Sequence, residues 1–171
     1  MQIKINTPRF TLQELSVDNV NERYLSWFNE EAAQKYISAS TVTKSLMDLK
    51  DYVRKHTGRQ DILFLGIFDK VTGQHIGNIK YEPVDSLQAY AIMGILIGET
   101  DYRGKGVAVE VLNASALWLK ENRNINQLIL GVNRNNAGAV KSYEKAGFAI
   151  EETPFLKAKS PDSLIMVWHL Y

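Results

Sequence analysis

Residues 95–108 read Ile-Leu-Ile-Gly-Glu-Thr-Asp-Tyr-Arg-Gly-Lys-Gly-Val-Ala, an apolar run that passes into Arg103-Gly-Lys-Gly106 and then into a helical pattern. A strand must end here, the backbone must turn where glycine turns most cheaply, and a helix must begin. The helical spacing covers 104–121, with Ala108, Val111, Leu112, Ser115, Trp118 and Leu119 on one face. Residues 127–132 then form a short apolar strand suited to burial on both sides. Strand, helix and strand over 89–132 make a βαβ crossover, whose two strands run parallel. The loop between them has the makings of an anion cradle. Glycines let the backbone approach a phosphate, successive N–H groups point outward, and the helix N-terminus adds partial positive charge. A pyrophosphate fits that description; the plain alternative is a Gly-rich turn with a solvated Arg and Lys. The segment is neither a Walker loop, which needs Gly-Lys-Ser/Thr, nor the Gly-x-Gly-x-x-Gly of a dinucleotide fold.

Around this crossover the pattern is antiparallel. Residues 9–15 alternate as a strand, and Ser16 and Asp18 offer caps ahead of a helix over 20–29 that puts Val20, Tyr24, Trp27 and Phe28 on one face. Leu46, Leu49, Tyr52 and Val53 predict a second helix over 45–56. Segments 62–68 and 74–81, joined by the turn-like 69–73, predict a β-hairpin, with 89–97 as the next strand. After 127–132, Asn135 and Asn136 cap a helix through Lys145, which Gly147 stops with Phe148 following. Segments 148–153 and 164–171 close the chain as strands. The class is α+β. With no internal repeat, low-complexity tract or Pro/Gly/Ser-rich linker, one domain over 1–171 is expected.

Composition narrows the chemistry by exclusion. Across 171 residues, 20 Lys+Arg face 19 Asp+Glu, a net charge of +1, so no basic field exists to hold nucleic acid or a membrane surface. No apolar run approaches a membrane span, and residues 1–8 lack a basic segment leading into an apolar one, so the cytosol is expected. The absence of cysteine removes disulfides, thiolate nucleophiles, zinc fingers and iron–sulfur clusters together. His56, His75 and His169 show no ligand spacing, so no metal is expected, and Ser115 and Ser142 lie outside any Gly-x-Ser-x-Gly elbow.

Two segments, Arg103-Gly-Lys-Gly106-Val-Ala108 and Asn133-Arg-Asn-Asn136-Ala-Gly-Ala-Val-Lys-Ser-Tyr143-Glu-Lys-Ala-Gly147-Phe148, carry a family resemblance. The chain resembles the GNAT acyltransferases, which use acetyl-coenzyme A (acetyl-CoA) and whose pyrophosphate loop reads Arg/Gln-x-x-Gly-x-Gly/Ala. The likeness extends from about Arg9 to the C-terminus. It implies a mixed, mostly antiparallel sheet flanked by helices and splayed between its fourth and fifth strands, where the pantetheine arm inserts. By the same resemblance Arg103, Gly104, Lys105, Gly106, Val107 and Ala108 contact the pyrophosphate, Leu96 and Ile97 contact pantetheine, and Asn136 hydrogen-bonds that arm. Asn136 otherwise serves as a helix N-cap. Tyr143 resembles the tyrosine that protonates the departing thiolate; a phenol with a pKa of ~10 keeps its proton at neutral pH. Without the resemblance it reads as a half-buried helix tyrosine. One departure stands out. Many members carry a glutamate two residues before a glycine on the strand ahead of the loop, proposed as general base, and here that position, before Gly94, is Ile92. Glu99, Glu82 and His75 are the other ionisable candidates, and the base is left unassigned.

The acceptor side rests on a second likeness. Tyr24-Leu-Ser-Trp27-Phe-Asn29, followed by Tyr36-Ile, resembles ribosomal-protein-acetyltransferase-like members linked to surface-polysaccharide and nucleotide-sugar pathways. It implies that Trp27, Asn29 and Tyr36 stack on and hydrogen-bond a sugar, although aromatics at this spacing otherwise form core. The implied reaction is acetyl transfer to a primary amine by direct attack in a ternary complex, since no cysteine exists to form an acyl-enzyme. The expected acceptor is a small molecule, an amino sugar on a nucleotide carrier. The N-terminal amine of a protein such as a ribosomal protein is the alternative, and a catalytically silent CoA-binding sensor is the alternative from another class. Homodimerisation is compatible with the resemblance; a metal, nucleic acid and membrane partners are not expected.

Overall fold

Among the described residues, eight strands pair into one sheet. The computed structural model describes residues 2–29 and 43–171. Its elements are β1 (Lys4–Asn6), β2 (Phe10–Glu14), α1 (Glu22–Ser26), α2 (Leu46–His56), β3 (Leu63–Asp69), β4 (His75–Asp85), β5 (Tyr90–Ile97), α3 (Val107–Arg123), β6 (Gln127–Asn133), α4 (Ala137–Ala146), β7 (Ala149–Ile150) and β8 (Ser163–His169). Short 3-10 turns occupy Val17–Asn19, Trp27–Asn29 and Thr100–Tyr102. The strands lie in the order β1-β2-β3-β4-β5-β6-β8-β7, and every one of these pairs is antiparallel except β5–β6. The α+β expectation holds, including the hairpin, the crossover and both helices that flank β6.

The differences have local causes. Instead of one helix over 20–29 there are two short pieces, α1 and the Trp27–Asn29 turn, and the extended Val20 separates them from the Val17–Asn19 turn ahead. Ser16 therefore caps the Val17–Asn19 turn, in a reciprocal box with Asn19, while Asn21 caps α1 by accepting from the Tyr24 amide at 2.9 Å. Asp18 lies within that turn rather than ahead of a helix. The strand expected over 148–153 shrinks to the two residues of β7, and β1 adds three paired residues too short to show a period. In β4 the pairing continues to Asp85 through a register shift between Tyr81 and Val84, where the Glu82–Pro83 peptide is cis.

The sheet buries both faces. On one, α3 and α4 cover Leu12, Leu65, Ile79, Tyr81 and Leu128 with Val111, Leu112 and Leu119. On the other, α1, the Trp27–Asn29 turn and α2 cover Leu15, Ile62 and Phe64 with Tyr24, Trp27, Leu49 and Val53. The alternation along β4 assigns Ile79 and Tyr81 to the first face, so Asn78 and Lys80 lie on the second. In the first core one polar pair is sealed. Ser115 Oγ donates to the Val111 carbonyl at 2.8 Å, so Tyr81 Oη donates to Ser115 Oγ at 2.7 Å. We expect Tyr81→Phe to leave that oxygen short of a donor and to lower unfolding free energy by about 1 kcal/mol in denaturant titrations, without weakening acetyl-CoA binding.

Candidate active site

The parallel pairing of β5 with β6 lasts for three positions, Tyr90↔Gln127, Ala91↔Leu128 and Ile92↔Ile129. Beyond them the strands part. Among the described residues the β6-facing edge of 93–97 has no strand partner, and the opening expected between the fourth and fifth strands lies between β5 and β6, because β1 adds one to the count. Leu96 and Ile97 end β5 beside this opening, both half-buried.

At the end of β5 the chain makes the loop that the Arg-Gly-Lys-Gly pattern predicts. Arg103 folds back, its Nε donating to the Ile97 carbonyl at 2.9 Å and a terminal nitrogen to that of Gly98 at 3.4 Å. Gly104 (φ +69°) and Gly106 (φ +75°) occupy left-handed backbone, and a Cβ on Gly104 would meet nothing within 4 Å. Conformation therefore demands glycine here while the surface stays open to an incoming group. Gly106 is the N-cap of α3 and offers no side-chain acceptor, so the N–H groups of the first turn, from buried Val107 and half-buried Ala108 onward, are uncapped by any side chain. Lys105 is exposed beside them. The structure adds Arg9, which sequence reasoning did not connect to the loop across about a hundred residues. One guanidinium nitrogen of Arg9 would lie 3.8 Å from a Cβ on Gly106. Glu110, on the first turn of α3, holds Arg9 in place: it accepts from Arg9 Nε at 2.7 Å, the Arg9 amide at 2.8 Å and Thr7 Oγ1 at 2.6 Å. Burial resists the charge on Glu110, but the bonds from Thr7 and Arg9 outweigh it and hold its carboxyl below the usual range. On the far side, Tyr102 Oη donates to Asp69 at 2.7 Å and ties the loop to the β3–β4 turn.

The other wall of the opening comes from α4. Asn136 caps it, its side chain accepting weakly from the Ala139 amide at 3.4 Å, so the N-cap role is real and leaves the amide group half-exposed. Tyr143 follows seven residues later, two turns along, on the same helical face. Its ring packs edge-on against Phe148 at 5.9 Å. Among the described residues no side chain hydrogen-bonds its hydroxyl, and burial pushes the phenol up to about 12.

The acceptor side departs from expectation. Trp27 is 2% exposed, packed against Tyr24 (4.9 Å between ring centroids) and His75 (4.8 Å), with Nε1 donating to Glu99 Oε1 at 3.0 Å. Its six-membered ring lies over Gly98 so closely that a Cβ there would come within 2.0 Å. Both its faces are in contact with protein, so Trp27 is core rather than a platform for a sugar. Asn29, at the end of the same turn, is exposed. Tyr36 lies outside the described residues. Glu99 is spent: Arg23 grips it at 2.5 and 2.8 Å, and this bond above all holds its carboxyl below the usual range, so it is a poor proton acceptor. His75 is boxed by Tyr24, Trp27 and Phe68, donates Nε2–H to Asn78 at 2.7 Å, and is held neutral mainly by burial. Among the described residues no group of three His, Cys, Asp or Glu side chains is placed to hold a metal ion, and no helix is long and apolar enough to cross a membrane.

Residues 9–149 match the family model described as an acetyltransferase (GNAT) domain. The chain belongs to the GNAT acetyltransferase family. It is an acyltransferase whose acyl donor is acetyl-CoA. Solved structures of the same fold include RimL, a ribosomal-protein alpha-N-acetyltransferase in complex with coenzyme A (13% identity, 98% of each chain covered, TM-score 0.84). Also similar is the microcin C7 self-immunity acetyltransferase MccE in complex with acetyl-CoA and AMP (16%, 95% of this chain and 93% of that one, 0.79). A third is a spermidine N-acetyltransferase chimera from Vibrio cholerae and hSSAT (20%, 95% and 96%, 0.77).

Two measurements check the GNAT site as drawn. Calorimetric titration should show Gly104→Val and Gly106→Val weakening acetyl-CoA binding roughly 5- to 150-fold, the ~1–3 kcal/mol that left-handed backbone costs a β-branched residue. Trp27→Ala should cost about 3–5 kcal/mol of stability in denaturant titrations, as core removal does.

Proposed function

We propose that this protein N-acetylates a primary amine, which enters the β5–β6 opening from the α1/α2 face and attacks the thioester directly. The reading is carried by the opening itself, with an uncapped glycine loop at the end of β5 and a phenol two turns into the helix that follows β6. The loop, with Lys105 and Arg9 beside it, holds the pyrophosphate through backbone N–H groups, and the free edge of β5 pairs with the pantetheine amides as a strand would. Asn136 donates to that arm. Tyr143 donates its proton to the sulfur as the C–S bond breaks. Its raised pKa is no obstacle, since the burial that favours the neutral phenol also disfavours the thiolate beside it. With the acid in place, turnover is favoured over a silent CoA sensor.

Within the amines, the acceptor we favour is the amino group of a nucleotide-linked sugar of the kind used in surface-polysaccharide pathways, with the exposed Asn29 among its contacts. The nucleotide part draws support from MccE, which holds AMP together with acetyl-CoA. The competing acceptor is a protein N-terminus, the substrate class in RimL's name. Thiol release measured over a panel of nucleotide-linked amino sugars, free N-terminal peptides, polyamines and aminoglycosides separates them. Acetylation of peptides alone overturns the sugar assignment. With any accepted amine, Tyr143→Phe should lower kcat ~10²- to 10⁴-fold with acetyl-CoA affinity unchanged. Full turnover in that variant would make Tyr143 structural.

A further inference from the structure

With Glu99 and His75 committed, the acceptor's proton still needs a destination. On β5 the positions facing α1 and α2 are Ile92, Gly94 and Leu96, none of which is ionisable. Gly94 is exposed and a Cβ there would meet nothing within 4 Å, so at this point that face of the sheet is open. Directly opposite Gly94 in the antiparallel register is Lys80, and opposed residues share a face. Lys80 begins a polar cluster. Its Nζ donates to Tyr52 Oη at 2.7 Å and lies 3.0 Å from Glu82 Oε2. The same Glu82 oxygen lies 3.6 Å from His56 Nε2. His56, the last residue of α2, stacks on Tyr52 (4.0 Å, 27°), and its Nδ1 lies 2.6 Å from the Tyr52 carbonyl oxygen.

That last bond fixes the tautomer. A carbonyl oxygen only accepts, so Nδ1 carries the ring hydrogen and Nε2 presents its lone pair. At 3.6 Å, Nε2 and Glu82 are too far apart for a hydrogen bond but close enough for an ion pair once the ring is protonated. The groups facing His56 are Tyr52 on its own helix, Lys80 and Glu82 on β4, and the uncharged ring of Phe64 on β3; Arg59, paired with Asp61, acts on Glu82 from the loop before β3. The His56 side chain keeps 19% of its area exposed and that of Glu82 39%.

We propose that His56 Nε2 collects the acceptor's proton and that Glu82 is the positioning carboxylate that holds the resulting imidazolium. This rests on the amine-transfer reading above. An acceptor arriving as an ammonium ion gives one proton to Nε2, and the freed lone pair forms the C–N bond. The thioester C–S bond breaks with its electron pair leaving on sulfur, which takes the Tyr143 proton. The second proton lost by nitrogen restores Tyr143, and His56 releases its own to solvent.

The test uses whichever amine of the panel gives the fastest thiol release, with acetyl-CoA binding by calorimetry and melting temperature recorded for each variant. His56→Gln should lower kcat/KM for the amine at least ~10²-fold at neutral pH, keep acetyl-CoA affinity, and regain activity with added imidazole. Glu82→Gln should lower kcat for the amine while leaving acetyl-CoA affinity and melting temperature unchanged, with Glu82→Asp regaining part of the loss, and this readout stands even if His56→Gln loses its helix-end bond and fails to fold. Unchanged kcat/KM in folded His56→Gln, or unchanged kcat in Glu82→Gln, overturns the assignment and leaves amine transfer intact. Acetyl-CoA binding without release for any amine overturns the amine-transfer reading, and this proposal with it.

Discussion

One parallel pair in an otherwise antiparallel sheet sets the geometry of everything that matters chemically. Antiparallel neighbours send their ends in opposite directions; parallel ones end on the same side. Because α3 carries the chain back across the sheet, β5 and β6 both finish at one edge, and each is followed there by a helix start, Gly106 for α3 and Asn136 for α4. Pairing that stops at Ile92↔Ile129 then leaves a wedge between the two ends. Ligands of open sheets that contain parallel strands lie outside the carboxyl ends of those strands for this reason, since uncapped helix N–H groups and unpaired strand edges converge there.

The two halves of the site share residues. Gly98 and Glu99 open the loop that leads to the glycines, and the same two residues seat the segment on the acceptor side, Gly98 by lying flat under Trp27 and Glu99 by binding both Trp27 and Arg23. The contributions differ in size. Arg23 is largely exposed, so solvent screens its charge, whereas the indole is buried with its N–H satisfied. Burial of Trp27 therefore does most of the fixing, and Glu99 serves chiefly to let that N–H be buried without loss. A residue that reads as acceptor chemistry by its aromatic character is instead the weight that positions the glycine loop.

What the sequence disclosed divides along this line. Residues 103–108 and 133–148 could be read because their chemistry is local: a strand end, left-handed glycines, a cap, and seven-residue spacing between Asn136 and Tyr143. Trp27 could not, because helical spacing shows which side chains share a face and says nothing of what lies across from it. Arg9 beside Gly106, and Glu110 behind it, were hidden for the complementary reason that the contact spans about a hundred residues and depends on β2 reaching α3. Glu82 was visible as an ionisable residue but indistinguishable from Glu99. Only the partners separate them: Arg23 grips Glu99 through two nitrogens, whereas Glu82 pairs with Lys80 and has His56 beside it.

Desolvation then sorts the ionisable groups into roles. The phenol of Tyr143 and the imidazole of His75 are both buried, and burial opposes charge on each, raising the first and lowering the second. In the role proposed for Tyr143 that is useful, because a buried phenol holds its proton until charge develops beside it. For a proton acceptor it is disabling, because a ring that resists protonation in a sealed box cannot collect anything. A base for this reaction has to stay in reach of water and of a compensating carboxylate, and among the described histidines His56 has both, since His169, although paired with Glu151, lies on β8 beyond the opposite wall of the opening. The proposed acid and the proposed base thus differ in the way their tasks require, Tyr143 dry on α4 and His56 in reach of water at the end of α2.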